Sequence, residues 1–128
     1  MKFNFLATLT LVGLILFATG CSEEDCIPPG LAANIVGSWT ESFTNETVEF
    51  AADGTFTDPN DALISGEING IVLNIKTYTV SGDTLITLTA AEAGGQFLSS
   101  DFEVANNACD EIMLSEPFFN ISTTLTRN

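Results

Sequence analysis

Thr47-Val48-Glu49-Phe50-Ala51-Ala52-Asp53-Gly54-Thr55-Phe56-Thr57 is the stretch that decides the fold. Val48 and Phe50 alternate with Thr47 and Glu49, the period of two that sends apolar and polar side chains to opposite faces of a strand. Asp53-Gly54 then supplies residues that tolerate the positive φ of a tight hairpin turn. Thr55-Phe56-Thr57 resumes the alternation on the way back.

The same punctuation recurs along the chain. Asp58-Pro59-Asn60-Asp61 reads as a loop, and Asn69-Gly70 separates apolar runs at 64–68 and 71–75. Ser81-Gly82-Asp83 separates 77–80 from 84–89, Gly94-Gly95 and Asn106-Asn107 break the next runs, and a last strand is expected at 121–127. Thirteen threonines lie beyond Ile35, among Val, Ile and Phe, a composition suited to strands. A helical period is sustained nowhere for more than about two turns; residues 88–94 come nearest to a helical turn. Sequential hairpins without a long crossover predict an all-β fold, a small up-and-down antiparallel β-barrel of about eight strands. Closure is expected because an open meander leaves unpaired edges. A β-sandwich of similar strand count is the alternative.

Alternation predicts the inward faces. Val48, Phe50, Tyr78, Val80, Leu98, Phe102, Val104, Ile112 and Leu114 point inward, and Ile121 shares a face with Leu125. Glu41 shares the face of Trp39 and Phe43, and Glu46 that of Val48 and Phe50. Such carboxylates either sit in water at strand ends or stand inside the barrel, where desolvation raises their pKa values.

The chain has 128 residues and a net charge of −14: seventeen acids against Lys2, Lys76 and Arg127, with no histidine. That length suits one domain. So few basic groups cannot neutralise phosphates, which argues against nucleic acid as a partner. The missing histidine removes Ser-His-Asp and Cys-His catalysis and histidine-ligated metals. No glycine-rich phosphate loop and no CxxC pair are present, so no enzyme activity and no cofactor are expected.

Residues 1–20 read as an address. Lys2 precedes an apolar run from Phe5 to Ala18, too short for a comfortable span and of signal-peptide length. The run ends in Ala18-Thr19-Gly20-Cys21, which resembles the bacterial lipobox, with alanine where leucine is usual. That resemblance implies cleavage before Cys21 and lipid attachment to it, the acyl chains anchoring the protein to a membrane. The following Ser22-Glu23-Glu24-Asp25 resembles the export signal of Bacteroidetes lipoproteins displayed on the outer face of the outer membrane. Residues 21–34, with Pro28-Pro29-Gly30, are then an acidic tether, and the domain occupies 35–128. With Cys21 acylated, Cys26 and Cys109 remain as an even pair in an oxidising compartment, which predicts a disulfide.

At Gly37-Ser38-Trp39 the chain resembles lipocalins, whose first strand opens on Gly-x-Trp. The order that follows resembles the lipocalin-like domain of Bacteroidetes lipoproteins. It runs from Val48-Glu49-Phe50-Ala51-Ala52-Asp53-Gly54-Thr55-Phe56 through Tyr78-Thr79-Val80-Ser81-Gly82-Asp83-Thr84-Leu85 and Asp110-Glu111-Ile112-Met113-Leu114 to Thr124-Leu125-Thr126-Arg127. The resemblance implies that Trp39 closes the barrel base against Arg127, the only arginine. A guanidinium over an indole is worth about 0.5–2 kcal/mol. The domain is shorter than lipocalins proper, so its own side chains can fill much of the interior.

The function expected is non-catalytic binding of a small apolar or amphipathic ligand in the barrel mouth. The alternative is a filled barrel acting as a surface accessory or interaction module. Asp58, Asn60 and Asp61, with Asp53, offer hard oxygen ligands, but side-chain capping of the turn is the favoured reading over calcium, and no metal is assigned. Phe118-Phe119, beside Pro117, is expected to cap the core. The sequons at Asn45 and Asn120 are read as incidental.

Overall fold

The structure, a computed structural model, describes residues 26–128. Residues 1–20, Cys21 and Ser22-Glu23-Glu24-Asp25 lie outside the described residues, so the expected signal, lipid site and export signal do too.

The chain opens with one helical turn, α1 (Leu31–Asn34), and continues as strands. These are β1 (Gly37–Glu41), β2 (Thr47–Phe50), β3 (Phe56–Thr57), β4 (Glu67–Ile68), β5 (Ile71–Val72), β6 (Ile75–Ser81), β7 (Leu85–Ala91), β8 (Phe97–Asn107), β9 (Glu111–Glu116) and β10 (Ile121–Arg127). Eight of them form one antiparallel sheet in the order β3-β2-β1-β10-β9-β8-β7-β6, while β4 and β5 make a separate hairpin. Every neighbour is sequential except β1 and β10, whose register sets Trp39 opposite Arg127 and Glu41 opposite Leu125. The two outermost strands meet at a Thr55–Thr77 bridge, and Tyr78 N–H donates to Gly54 O at 2.9 Å. The sheet is thus nearly closed into an up-and-down barrel.

The Asp53-Gly54 turn is present, with Gly54 at φ 88° and the Asp53 carboxylate accepting the Thr55 N–H at 2.9 Å. Alternation places Val48, Phe50, Tyr78, Phe102, Ile112 and Leu114 in the core as expected, in one buried cluster with Trp39, Ile86, Leu88 and Leu125. Val80, Leu98 and Val104 are half-buried against it, and Ile121, at the open start of β10, is exposed although Leu125 is buried. Tyr78 packs edge-on against Phe50 with ring centroids 5.1 Å apart, and its hydroxyl donates to Ala51 O.

Several expectations are corrected. Residues 31–34 do not belong to a free tether: Leu31 and Asn34 are buried while Ala32 and Ala33 face outward, and Asp83 Oδ1 accepts the Leu31 N–H at 2.9 Å and docks the turn across the barrel end. Asn106-Asn107 does not break a strand. β8 absorbs it through a β-bulge between Val104 and Asn106 and turns only afterwards. The run 64–68 is strand only at Glu67–Ile68, since Ile64 leaves the ladder to fill the core. Residues 88–94 form the end of β7 and a turn.

Candidate functional site

The barrel has two unlike ends. At one end lie α1, the start of β1, the Asn107–Asp110 turn and the end of β10. The Cys26–Cys109 disulfide, 83 residues apart in sequence, ties the start of the described chain to this end. The Arg127 guanidinium carbon lies 4.2 Å from the centre of the Trp39 ring. Its Nε donates to Cys109 O (3.0 Å), and its Nη2 to Asn34 O and Oδ1 (2.7 and 2.8 Å). Trp39 Nε1 donates to Ile35 O at 2.7 Å, and Asn34 Nδ2 reaches Asn107 Oδ1 and Ala108 O, both at 2.7 Å. Gly37 adopts φ 136°, and a Cβ there would stand 3.1 Å from Arg127 Nη1. The glycine of Gly-x-Trp is therefore required by the approach of the arginine as well as by the backbone. This end is a plug: its polar groups are used up in holding it shut.

The opposite end is open. A pocket of about 420 Å³ lies there, within the range of small-molecule sites. Phe43 from the β1–β2 turn, Ala62 and Leu63 from the loop after β3, Phe102 from β8, Phe119 from the β9–β10 turn and Ile121 from the start of β10 make its apolar wall. Phe102 is buried and forms the boundary with the filled core below. Phe118 and Phe119 do not cap the core: they are 86% and 68% exposed, stacked edge-on at 5.1 Å on the rim. The Glu116 carboxylate accepts the Phe119 N–H and Asn120 takes φ 53°, so the turn aims both rings outward.

Glu41 stands in the pocket wall and is 1% exposed. Its Oε1 accepts the Phe43 N–H at 2.8 Å and the Thr123 hydroxyl; its Oε2 accepts the Thr44 N–H (2.8 Å) and hydroxyl (2.7 Å). Burial pushes the carboxyl pKa up, but those four hydrogen bonds together bring it below the ordinary value. The expected rise for a carboxylate inside the barrel is thus overturned, because donors replace the water that burial removes. Glu46 is half-buried and accepts from Asn60 Nδ2 at 2.6 Å, away from the core.

A node at the barrel's seam was not anticipated from sequence. The buried Asp58 carboxylate accepts the N–H groups of Ala62, Leu63 and Ile64 at 2.7, 3.0 and 3.1 Å. Lys76 Nζ, from β6, donates to Asp61 Oδ1 at 2.7 Å and to Ile64 O at 3.3 Å, and lies 3.8 Å from Asp58 Oδ2. Its hydrogen bond draws the Asp61 carboxyl below its usual range. The loop considered for calcium is therefore held by an ammonium and by backbone caps, and Asp53 sits away from it in the β2–β3 turn. The available signal was a lone lysine, between Ile75 and Thr77, downstream of an acidic loop. Among the described residues no cluster of three metal-ligating side chains occurs.

No helix among the described residues is long and apolar enough to cross a membrane. Comparison of the chain with known protein families, curated proteins and solved structures gives no match.

Proposed function

We propose that the protein is a lipid-anchored, lipocalin-like surface barrel that binds a small apolar or amphipathic molecule at its open end without transforming it. The observation that carries this reading is the apolar pocket of about 420 Å³ above a filled core, ringed by exposed aromatic side chains. The disulfide supports a compartment that permits oxidation. The lipobox-like Ala18-Thr19-Gly20-Cys21 and the acidic run after it support anchoring at the outer membrane. Only four residues separate Cys21 from Cys26, which is pinned to the plug. A chain extends by at most roughly 3.6 Å per residue, so the plug stands within roughly 20 Å of the lipid and the mouth faces away from it.

A second reading, an interaction module without ligand, is favoured by one observation. Tyr78, Phe102 and Ile112 belong to a single buried cluster with Leu98 packed against it, so no deep cavity runs down the barrel. Native mass spectrometry decides between the two. Protein isolated from its membrane is expected to carry an added mass lost on mild denaturation, and to brighten N-phenyl-1-naphthylamine, a neutral apolar dye. Bare protein that leaves the dye dark overturns ligand binding in favour of the module. For the anchor, Cys21→Ser is expected to move the protein from the detergent-requiring to the freely soluble fraction; an unchanged distribution removes lipidation.

A further inference from the structure

Two carboxylates, Glu41 and Glu116, line the mostly apolar pocket beside the hydroxyl residues Ser100 and Thr123, and among the described residues no basic side chain does. Glu41 is buried in its wall, with all its hydrogen bonds coming from neutral donors. Among the described residues the basic side chains are Lys76 and Arg127. Lys76 is engaged at the seam with Asp58 and Asp61, and Arg127 in the plug, beside Asp110. Glu41 therefore holds a negative charge against a mostly apolar space with no counter-ion among the described residues. Charges interact far more strongly in such surroundings than in water. Glu116 adds a second carboxylate: its Oε2 accepts the Phe119 N–H at 2.7 Å, and its Oε1 has no hydrogen-bond partner among the described residues.

We infer that the open-end pocket selects a cationic amphiphile, its apolar part against Leu63, Phe102 and Ile121 and its ammonium group paired with Glu116 in the field of Glu41. This rests on the ligand-binding reading above and adds the charge class. A fatty carboxylate would bring a third negative charge into the same space with no cation to meet it, and like charges so placed repel. A neutral alcohol fits the wall and can donate its O–H to Glu116, but it carries no charge for either carboxylate to attract. The four donors to Glu41 occupy its oxygens, so Glu41 acts through its charge, and Glu116 Oε1 is the atom free to accept from the ligand.

Isothermal titration of decylamine, decanol and decanoate at neutral pH tests the inference. Decylammonium is expected to bind at least about tenfold more tightly than decanol, and decanoate more weakly than either. Glu116→Gln is expected to bring decylammonium to within about threefold of decanol while leaving decanol unchanged. Ser100→Phe, or Ala62→Phe should the first fail to fold, fills the pocket without altering any charge and is expected to abolish binding of both. Decanoate binding as tightly as decylammonium overturns the inference. So does decylammonium binding that survives a filled pocket, which would place the cation on the acidic exterior. Equal binding of all three leaves the pocket and removes charge selection; failure of all three removes the ligand reading as well.

Discussion

The two ends of this barrel use aromatic side chains in opposite ways. At the plug, Trp39 is fully buried, with a guanidinium 4.2 Å from its ring centre and its indole N–H satisfied. At the mouth, Phe43, Phe118 and Phe119 are 72%, 86% and 68% exposed. The difference lies in what each end offers as partners. The plug gathers carbonyl groups from Asn34, Ile35 and Cys109 around one arginine and one indole, so every polar atom is answered and the apolar surface is covered. The mouth has turns that spend their polar groups on themselves, as Glu116 does on Phe119, and leaves its rings without cover. Stability is therefore concentrated at one end and available surface at the other.

The comparison can be broken most sharply at the plug. Trp39→Ala is expected to cost about 3–5 kcal/mol, read from chemical denaturation, as for other buried aromatic truncations. In a double-mutant cycle with Arg127→Ala a coupling of about 0.5–2 kcal/mol is expected, and strict additivity would show that the stacked pair is not a unit. Removing the disulfide by Cys26→Ser with Cys109→Ser is expected to cost about 4 kcal/mol on the chain-entropy account, because the loop it closes is long. Loss of a few tenths only would mean that α1 stays docked through Asn34 and Asp83 alone.

Midway in size stands Glu41, the one strongly held group at the mouth. Its folded-state pKa lies below the ordinary 4.5, so its ionised form is the one that the fold favours. That contribution is complete above the unfolded value and is lost as pH falls through the folded one. Glu41→Gln is expected to cost about 1–3 kcal/mol at neutral pH and to flatten the acid limb of the stability profile. An unchanged acid limb would assign it to other carboxylates, Asp61 first. The smallest effect is expected at the rim. Phe118→Ser should change stability by less than about 0.5 kcal/mol in thermal unfolding, as an exposed side chain does. A larger loss would show that the rim supports the fold.

Much of this molecule was legible because its signals are local. The hairpin at Asp53-Gly54 needs only a turn that tolerates positive φ between alternating residues, and the same holds for Ser81-Gly82-Asp83 and for β10 (Ile121–Arg127). What escaped depends on partners far away in sequence. Asn106-Asn107 carries a turn signal, yet pairing with Met113 and Ile112 keeps it in the ladder. Leu31 follows a Pro-Pro-Gly segment that reads as linker, and only Asp83, 52 residues on, makes it part of the core. Phe118-Phe119 looks like a core pair, but the turn geometry sets it on the rim.

By itself, then, the sequence determined the all-β character, most of the inward faces and most turn positions, and, on the reading that sets Cys21 aside for a lipid, the pairing of Cys26 with Cys109. Each follows from backbone conformational preference, from the period-two pleat or from simple counting. Only the tertiary structure decided where the charges went. Whether Glu41 sits in water or in the pocket wall depends on the Thr123 hydroxyl, 82 residues away, which becomes its neighbour only because β10 pairs with β1. The Lys76 node at the seam, the arginine-filled plug and the open pocket are likewise products of closure, since a buried charge is tolerable only where the fold delivers donors or a counter-ion to it.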